Sequence, residues 1–335
     1  MTRTRTLAAA GLAALVLTAV AAASSKGTNL SLIAYSTPKP VMAKIIQAWQ
    51  KTPDGSGVTF SQSYGPSTNQ AKAVAAGQPA DLVFLSTGDD VNLLVDAGLV
   101  NSSWNHQSYN GIAADTVVVF AVRQGDPKHI KSWADLIKPG VQVVTPNPFS
   151  SGSAKWNILA AYGAERRLGK TDAQATAYVQ ALFKNVVSQD TSGSNATNTF
   201  LSGKGDVLLT YESEAINANL QGKHIAYVIP RQTMLIELPA AAISKSSNLD
   251  KVNQFLRYLK STPAQELFAQ YGFRPVNKAV AAEPSVAKEF PARPGIFKID
   301  DKYIGGWRNA DKVWFDPNKG RMVQIERAIR GPTSG

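Results

Sequence analysis

The sequence predicts an α/β protein of two lobes, on three observations. Short runs rich in β-branched and aliphatic residues alternate with helical patterns along the whole chain. The 335 residues exceed what one small core needs. Neither an internal repeat nor a long low-complexity linker separates one half from the other, so a second lobe has to form by the chain crossing over and returning.

The first element is a leader. Arg3 and Arg5 precede an alanine-rich apolar run over 7–23, too short to span a bilayer, which reads as a signal peptide over 1–23. Ala21, Ala22 and Ala23 offer the small residues a signal peptidase reads. Leu17-Thr18-Ala19 also fits the stretch before a lipoprotein cysteine, but Val20 stands at that position, so no lipid anchor is possible for this chain as written. The expected location is extracytoplasmic. No other stretch has membrane length, and the absence of cysteine excludes a disulfide framework, thiol catalysis and thiolate metal sites. The net charge is +11, with the basic residues dispersed and no aromatic-interleaved basic block. That pattern is a basic surface able to attract a small anion, and it argues against nucleic acid.

Strands are expected over 30–35, 58–62, 81–85, 117–122, 141–144, 207–210 and 225–229. Helices are expected over 41–51, 68–76, 154–168, 172–183, 249–260 and 263–270. The strand-to-helix joints carry the functional signal. Tyr35-Ser36-Thr37-Pro38, Ser63-Tyr64-Gly65-Pro66-Ser67-Thr68, the stretch from Thr145 to Ser153 and Thr191-Ser192-Gly193-Ser194 all place hydroxyl residues, Gly or Pro at a helix start. Each start exposes backbone N–H groups without intrahelical partners and a partial positive charge. One such joint is ordinary capping; four that converge would form an anion site without any Lys or Arg.

Enzyme signals are weak. Gly163 to Thr171 approaches a phosphate-binding loop, but five residues separate its glycines where four are required. No G-x-S-x-G occurs, and His106, His129 and His224 are isolated, giving neither a triad nor metal spacing. Asp89 and Asp90 read as helix-start charge; Glu212 and Glu214, two apart, would diverge on a helix and take solvated or supporting roles. No catalytic residue, metal ligand or cofactor is expected.

The wording of the joints and of the segments between them resembles the bacterial periplasmic sulfate-binding protein family. The segments concerned are Ser63 to Ser67 with Gln70-Ala71, Asp126-Pro127-Lys128 through Trp133 to Val141, and Thr145 through Trp156-Asn157. Ala181 to Val186, Ala196 to Phe200, Gly205 to Leu209 and Gly305-Gly306-Trp307 continue the likeness, in order over nearly the whole mature chain.

The resemblance implies a type II periplasmic binding fold with crossover hinge strands. Chain order then puts one lobe at 27–114 plus 230–335 and the other at 115–229. It also implies a receptor delivering sulfate, with thiosulfate as a second candidate, to the membrane permease of an ABC importer. The receptor would be a monomer that performs no chemistry.

Carried over by motif, Ser36, Ser67, Gly152, Ser153 and Gly193 would donate backbone N–H groups and Ser151 a hydroxyl, while Tyr211, standing where the family has a tryptophan indole, would donate its own hydroxyl to the ligand. Molybdate or phosphate binding, or hydrolysis on a similar scaffold, are the alternative functions. Because the loops around Ser36, Ser67 and Ser151 hold no Asp or Glu, and backbone N–H groups and hydroxyls do not titrate there, binding is expected to be nearly flat from about pH 5 to 8.

Overall fold

The computed structural model describes residues 27–334, so the leader over 1–23 and Val20 lie outside the described residues. The chain opens β1 (Asn29–Tyr35), α1 (Lys39–Trp49), β2 (Thr59–Gly65), α2 (Ser67–Ala75), β3 (Leu82–Phe84) and α3 (Gly88–Asp96). It continues through β4 (Ile112–Val122), β5 (Val143–Pro146), α4 (Gly152–Arg167), α5 (Asp172–Lys184), β6 (Val186–Asp190), α6 (Gly193–Leu201), β7 (Val207–Tyr211), α7 (Glu212–Leu220) and β8 (Ala226–Val228). After β9 (Thr233–Ala242) come α8 (Leu249–Tyr258), α9 (Thr262–Gln270), α10 (Lys278–Ala281), α11 (Pro284–Glu289), β10 (Ile296–Phe297), α12 (Trp307–Ala310) and α13 (Arg321–Ile329). All seven expected strands are present. The strands β6, β9 and β10 and the helices α7 and α10 to α13 were not expected, and of α3 only the start, at Asp89 and Asp90, was.

The strands follow the order β2-β1-β3-β9-β4-β7-β5-β6, with β10 on β9 and β8 on β4. The β1, β2 and β3 strands run parallel to one another, and β5 runs parallel to both β6 and β7. Two long antiparallel strands join these groups. The first half of β4 pairs with β9, Thr116 facing Ile236, while its second half pairs with β7 and β8. Beyond that contact β9 goes on to pair with β3 at residues 240–242. These are the crossover strands, and the fold is the two-lobed α/β architecture of periplasmic binding proteins.

Burial follows the sequence periodicity. Helix α1 turns Val41, Met42, Ile45, Ile46 and Trp49 inward, and Trp49 meets Phe255 of α8 at 5.0 Å between ring centroids. Helix α4 is buried throughout 152–165 because it has neighbours on both sides. One is the sheet; the other is the C-terminal segment, where Trp307 meets Trp156 at 4.6 Å and Trp314 meets Tyr162 at 4.8 Å. That segment touches both sides of the molecule: Arg321 pairs with Asp172 of α5 at 2.7 Å, and Arg308 forms a two-pronged pair with Asp96 of α3 at 2.5 and 2.8 Å.

Three antiparallel pairings, through β9 and β4, separate the β1–β3 group from the β5–β7 group, so the two run in opposite directions, their carboxyl ends face each other, and the joints after β1, β2, β3, β5 and β6 gather between them. In open α/β sheets ligands bind outside the carboxyl ends of the strands.

Candidate functional site

The four hydroxyl-rich joints read from the sequence come together around a very small cavity of about 10 Å³. Tyr35, Ser36 and Thr37 enter from β1; Gly65, Pro66 and Ser67 from β2; Ser151 and Ser153 from the start of α4; Ser192 and Gly193 from the start of α6. Ser86, after β3, completes the wall. That is far below the roughly 300 Å³ of ordinary metabolite sites and close to the room of one water-sized group, so only a ligand of a few atoms fits.

Backbone amides dominate the chemistry. Ser67, Gly152, Ser153 and Gly193 occupy the first turns of α2, α4 and α6, where an N–H has no intrahelical acceptor. Neither they nor Ser36 donate to a loop or turn carbonyl among the described residues. Ser151 differs: its N–H goes to the Asn147 carbonyl at 3.0 Å, and its hydroxyl does not cap its own helix. Ser151 is 2% exposed, so that hydroxyl faces the cavity from a nearly dry wall.

Two of the expected ligands are placed differently. Gly152 is not on the cavity wall; it packs against Ser86, where a Cβ would lie 2.2 Å from Ser86 Oγ, so only glycine fits. The Tyr211 hydroxyl, expected to face the ligand, is instead donated to Ser86 Oγ at 3.2 Å. Burial pushes this phenol far above its usual range, so it keeps its proton and remains a donor.

Sequence reasoning missed the layer behind the wall. Asp90, read as helix-start charge, is buried and accepts the hydroxyls of Ser67 at 2.5 Å and Thr68 at 2.8 Å. Glu214 is buried too, rather than solvated, and accepts Thr37 at 2.5 Å, Ser194 at 3.0 Å and Thr197 at 3.3 Å. Burial lifts both carboxyls; the Lys155 charge opposes it for Asp90, and the hydroxyl donors oppose it for Glu214. The site is therefore not free of titratable groups, which overturns the reason for expecting flat pH dependence. One signal for Ser86 was present: Ser86-Thr87-Gly88 is a fifth hydroxyl-rich helix start after a strand, and the Thr87 side chain caps α3 through the Asp90 N–H at 3.1 Å.

Several bonds at the site cross between 27–114 and 115–229. Thr37 to Glu214, Tyr211 to Ser86 and the Trp156 indole to the Ser86 carbonyl at 2.6 Å are three of them. Lys155 adds a buried ion pair with Asp89. Burial disfavours its ammonium, but Asp89 and Asp90 outweigh that and hold the lysine charged. His106, His129 and His224 are all exposed, away from these joints.

A two-lobed α/β frame whose hydroxyl-rich helix starts meet at one cavity is that of a solute-binding protein. The chain belongs to the bacterial extracellular solute-binding protein family, whose model matches residues 30–274. It is 38% identical over 293 residues to the sulfate-binding protein of Escherichia coli, covering 85% of this chain and 88% of that one. To the thiosulfate-binding protein of Pseudomonas aeruginosa it is 35% identical over 278 residues, 80% of this chain and 82% of the other. Among solved structures, the sulfate-binding protein SubI from Mycobacterium tuberculosis matches with a TM-score of 0.82 at 42% identity, covering 86% of this chain and all of that one. No helix among the described residues is long and apolar enough to cross a membrane.

Proposed function

We propose that this protein is the extracytoplasmic receptor of an ABC importer that captures sulfate between its lobes and hands it to a membrane permease without chemical change. The single observation that carries this is the donor set. First-turn amides that donate to no loop or turn carbonyl among the described residues gather at one cavity whose lining includes no Asp or Glu. Sulfate is ionised at neutral pH and only accepts hydrogen bonds, so a wall of donors suits it, whereas hydrogen phosphate carries a proton that needs an acceptor.

The amides of Ser36, Ser67, Ser153 and Gly193 with the Ser151 hydroxyl are the ligands in this reading, and the Gly152 amide follows them in the same first turn. The lobes are 27–114 with 230–335, and 115–229; residues 303–334, although in the first group by sequence, also rest on α4 and α5. Export by the leader over 1–23 and action as a monomer complete the proposal. Thiosulfate is the second candidate, because a relative of nearly equal identity bears that name.

Ser151→Ala is the test. It removes a donor to a desolvated dianion, worth about 1.5 to 3 kcal/mol, so titration calorimetry should give at least a tenfold weaker sulfate affinity. An unchanged dissociation constant would remove Ser151 from the ligand set.

A further inference from the structure

Some hydroxyls around the cavity are spent on protein acceptors, whereas Ser86, like Ser36, Ser151 and Ser153, donates to no protein group among the described residues. The Ser67 hydroxyl is spent on Asp90 and receives the Ser86 N–H at 2.9 Å. Thr37, Ser194 and Thr197 are spent on Glu214. Ser86 is held at both backbone ends, its N–H by Ser67 and its carbonyl by the Trp156 indole. Its Oγ accepts the Tyr211 phenol, and among the described residues it donates to no protein group. The side chain is on the cavity wall and 1% exposed, so its proton has one direction left to go.

We infer that Ser86 is a ligand of the bound oxyanion through its hydroxyl, and that Tyr211 is a positioning residue which acts through Ser86 by occupying its lone pair and aiming its O–H at the cavity. The inference rests on the sulfate reading and adds a ligand to it. A hydroxyl that accepts a hydrogen bond is polarised into a stronger donor, so the pair substitutes for a single direct donor at Tyr211. Gly152 is part of the device, since any side chain there would occupy the place of Ser86 Oγ. Ser86 lies in 27–114 while Tyr211 and Gly152 lie in 115–229, so the relay is assembled only when the two halves meet.

The test is a double-mutant cycle by calorimetry with sulfate on the native protein, Ser86→Ala, Tyr211→Phe and the double variant, with ligand-free melting curves as a control for folding. Ser86→Ala should bind at least tenfold more weakly. Tyr211→Phe should weaken binding when Ser86 is present and have no further effect in the Ser86→Ala background. Wild-type affinity in Ser86→Ala would overturn the inference. Additive losses would overturn the relay, because Tyr211 would then be a ligand in its own right. Native protein that takes up no sulfate would remove the sulfate reading and this inference with it, an outcome visible before any variant is compared.

Discussion

Removing the guanidinium of Arg274 should expose how the crossover and the site's support are tied together. Arg274 grips Glu212 by two bonds, 2.7 and 3.0 Å, and exchanges backbone bonds of 2.7 and 2.9 Å with Asp115 in β4. Glu212 opens α7 directly after Tyr211 and is 0% exposed. Burial lifts the Glu212 carboxyl, and Arg274 opposes it.

Arg274→Met keeps the stem and deletes the charge, leaving a buried carboxylate unpaired at a cost of about 3 to 5 kcal/mol. Part of that loss is relieved by protonation. The folded-state pKa then lies further above the unfolded value near 4.3, so the stabilising protonated form is fully present below that value and lost as pH rises through the folded pKa. The deficit should therefore grow with pH, by at most about 1.4 kcal/mol per unit. Urea unfolding at pH 5, 7 and 8, followed by tryptophan fluorescence, reads it directly. Glu212→Gln combined with Arg274→Met should recover most of the loss at pH 8. A variant within about 1 kcal/mol of the parent at pH 8, or a loss independent of pH, would refute the reasoning.

Asp115 lies in the crossover, where its Oδ1 is buried without a partner and burial, with Glu237 opposite, raises its pKa to about 8. It therefore folds protonated, and stability should decline as pH rises above the unfolded value through 8. Asp115→Asn should match the parent near pH 5 and exceed it at pH 9 in thermal melts, whereas parallel curves would show that Asp115 is charged in the fold. Asp90 and Glu214 make a separate prediction for binding. A dianion favours their protonated forms, so sulfate affinity should strengthen as pH falls from 8 to 5, and calorimetry at constant ionic strength that gives a flat profile would show that neither changes its protonation in that range.

Much of the frame was legible because its signals are local. The stretch from Leu30 to Tyr35 is an apolar run that meets Ser36 and Thr37, and both the strand and the turn into α1 follow from neighbours in sequence. β9 escaped because its sequence Thr233–Ala242 contains Pro239 and three alanines, a composition that argues against a central strand. Pro239 is accommodated where the pairing with β4 slips, opposite Ile112, and its carbonyl still accepts the Leu85 N–H at 3.0 Å. The helix starts were legible for the same reason as β1. The roles of Ser86, Asp90 and Glu214 were not, since they depend on β3 lying beside β1 and on the two halves meeting, and no spacing along the chain encodes that. Tyr211 was located correctly in its segment, yet the direction of its hydroxyl is set by Ser86, 125 residues away.

The most direct test of the central claim is titration calorimetry of the mature chain against sulfate, thiosulfate, molybdate and phosphate at one pH and ionic strength. An amide-lined cavity predicts a sulfate dissociation constant of about 1 μM or below, with phosphate much weaker because its proton finds no carboxylate on the wall. No heat with sulfate, or tighter binding of phosphate than of sulfate, would contradict the account.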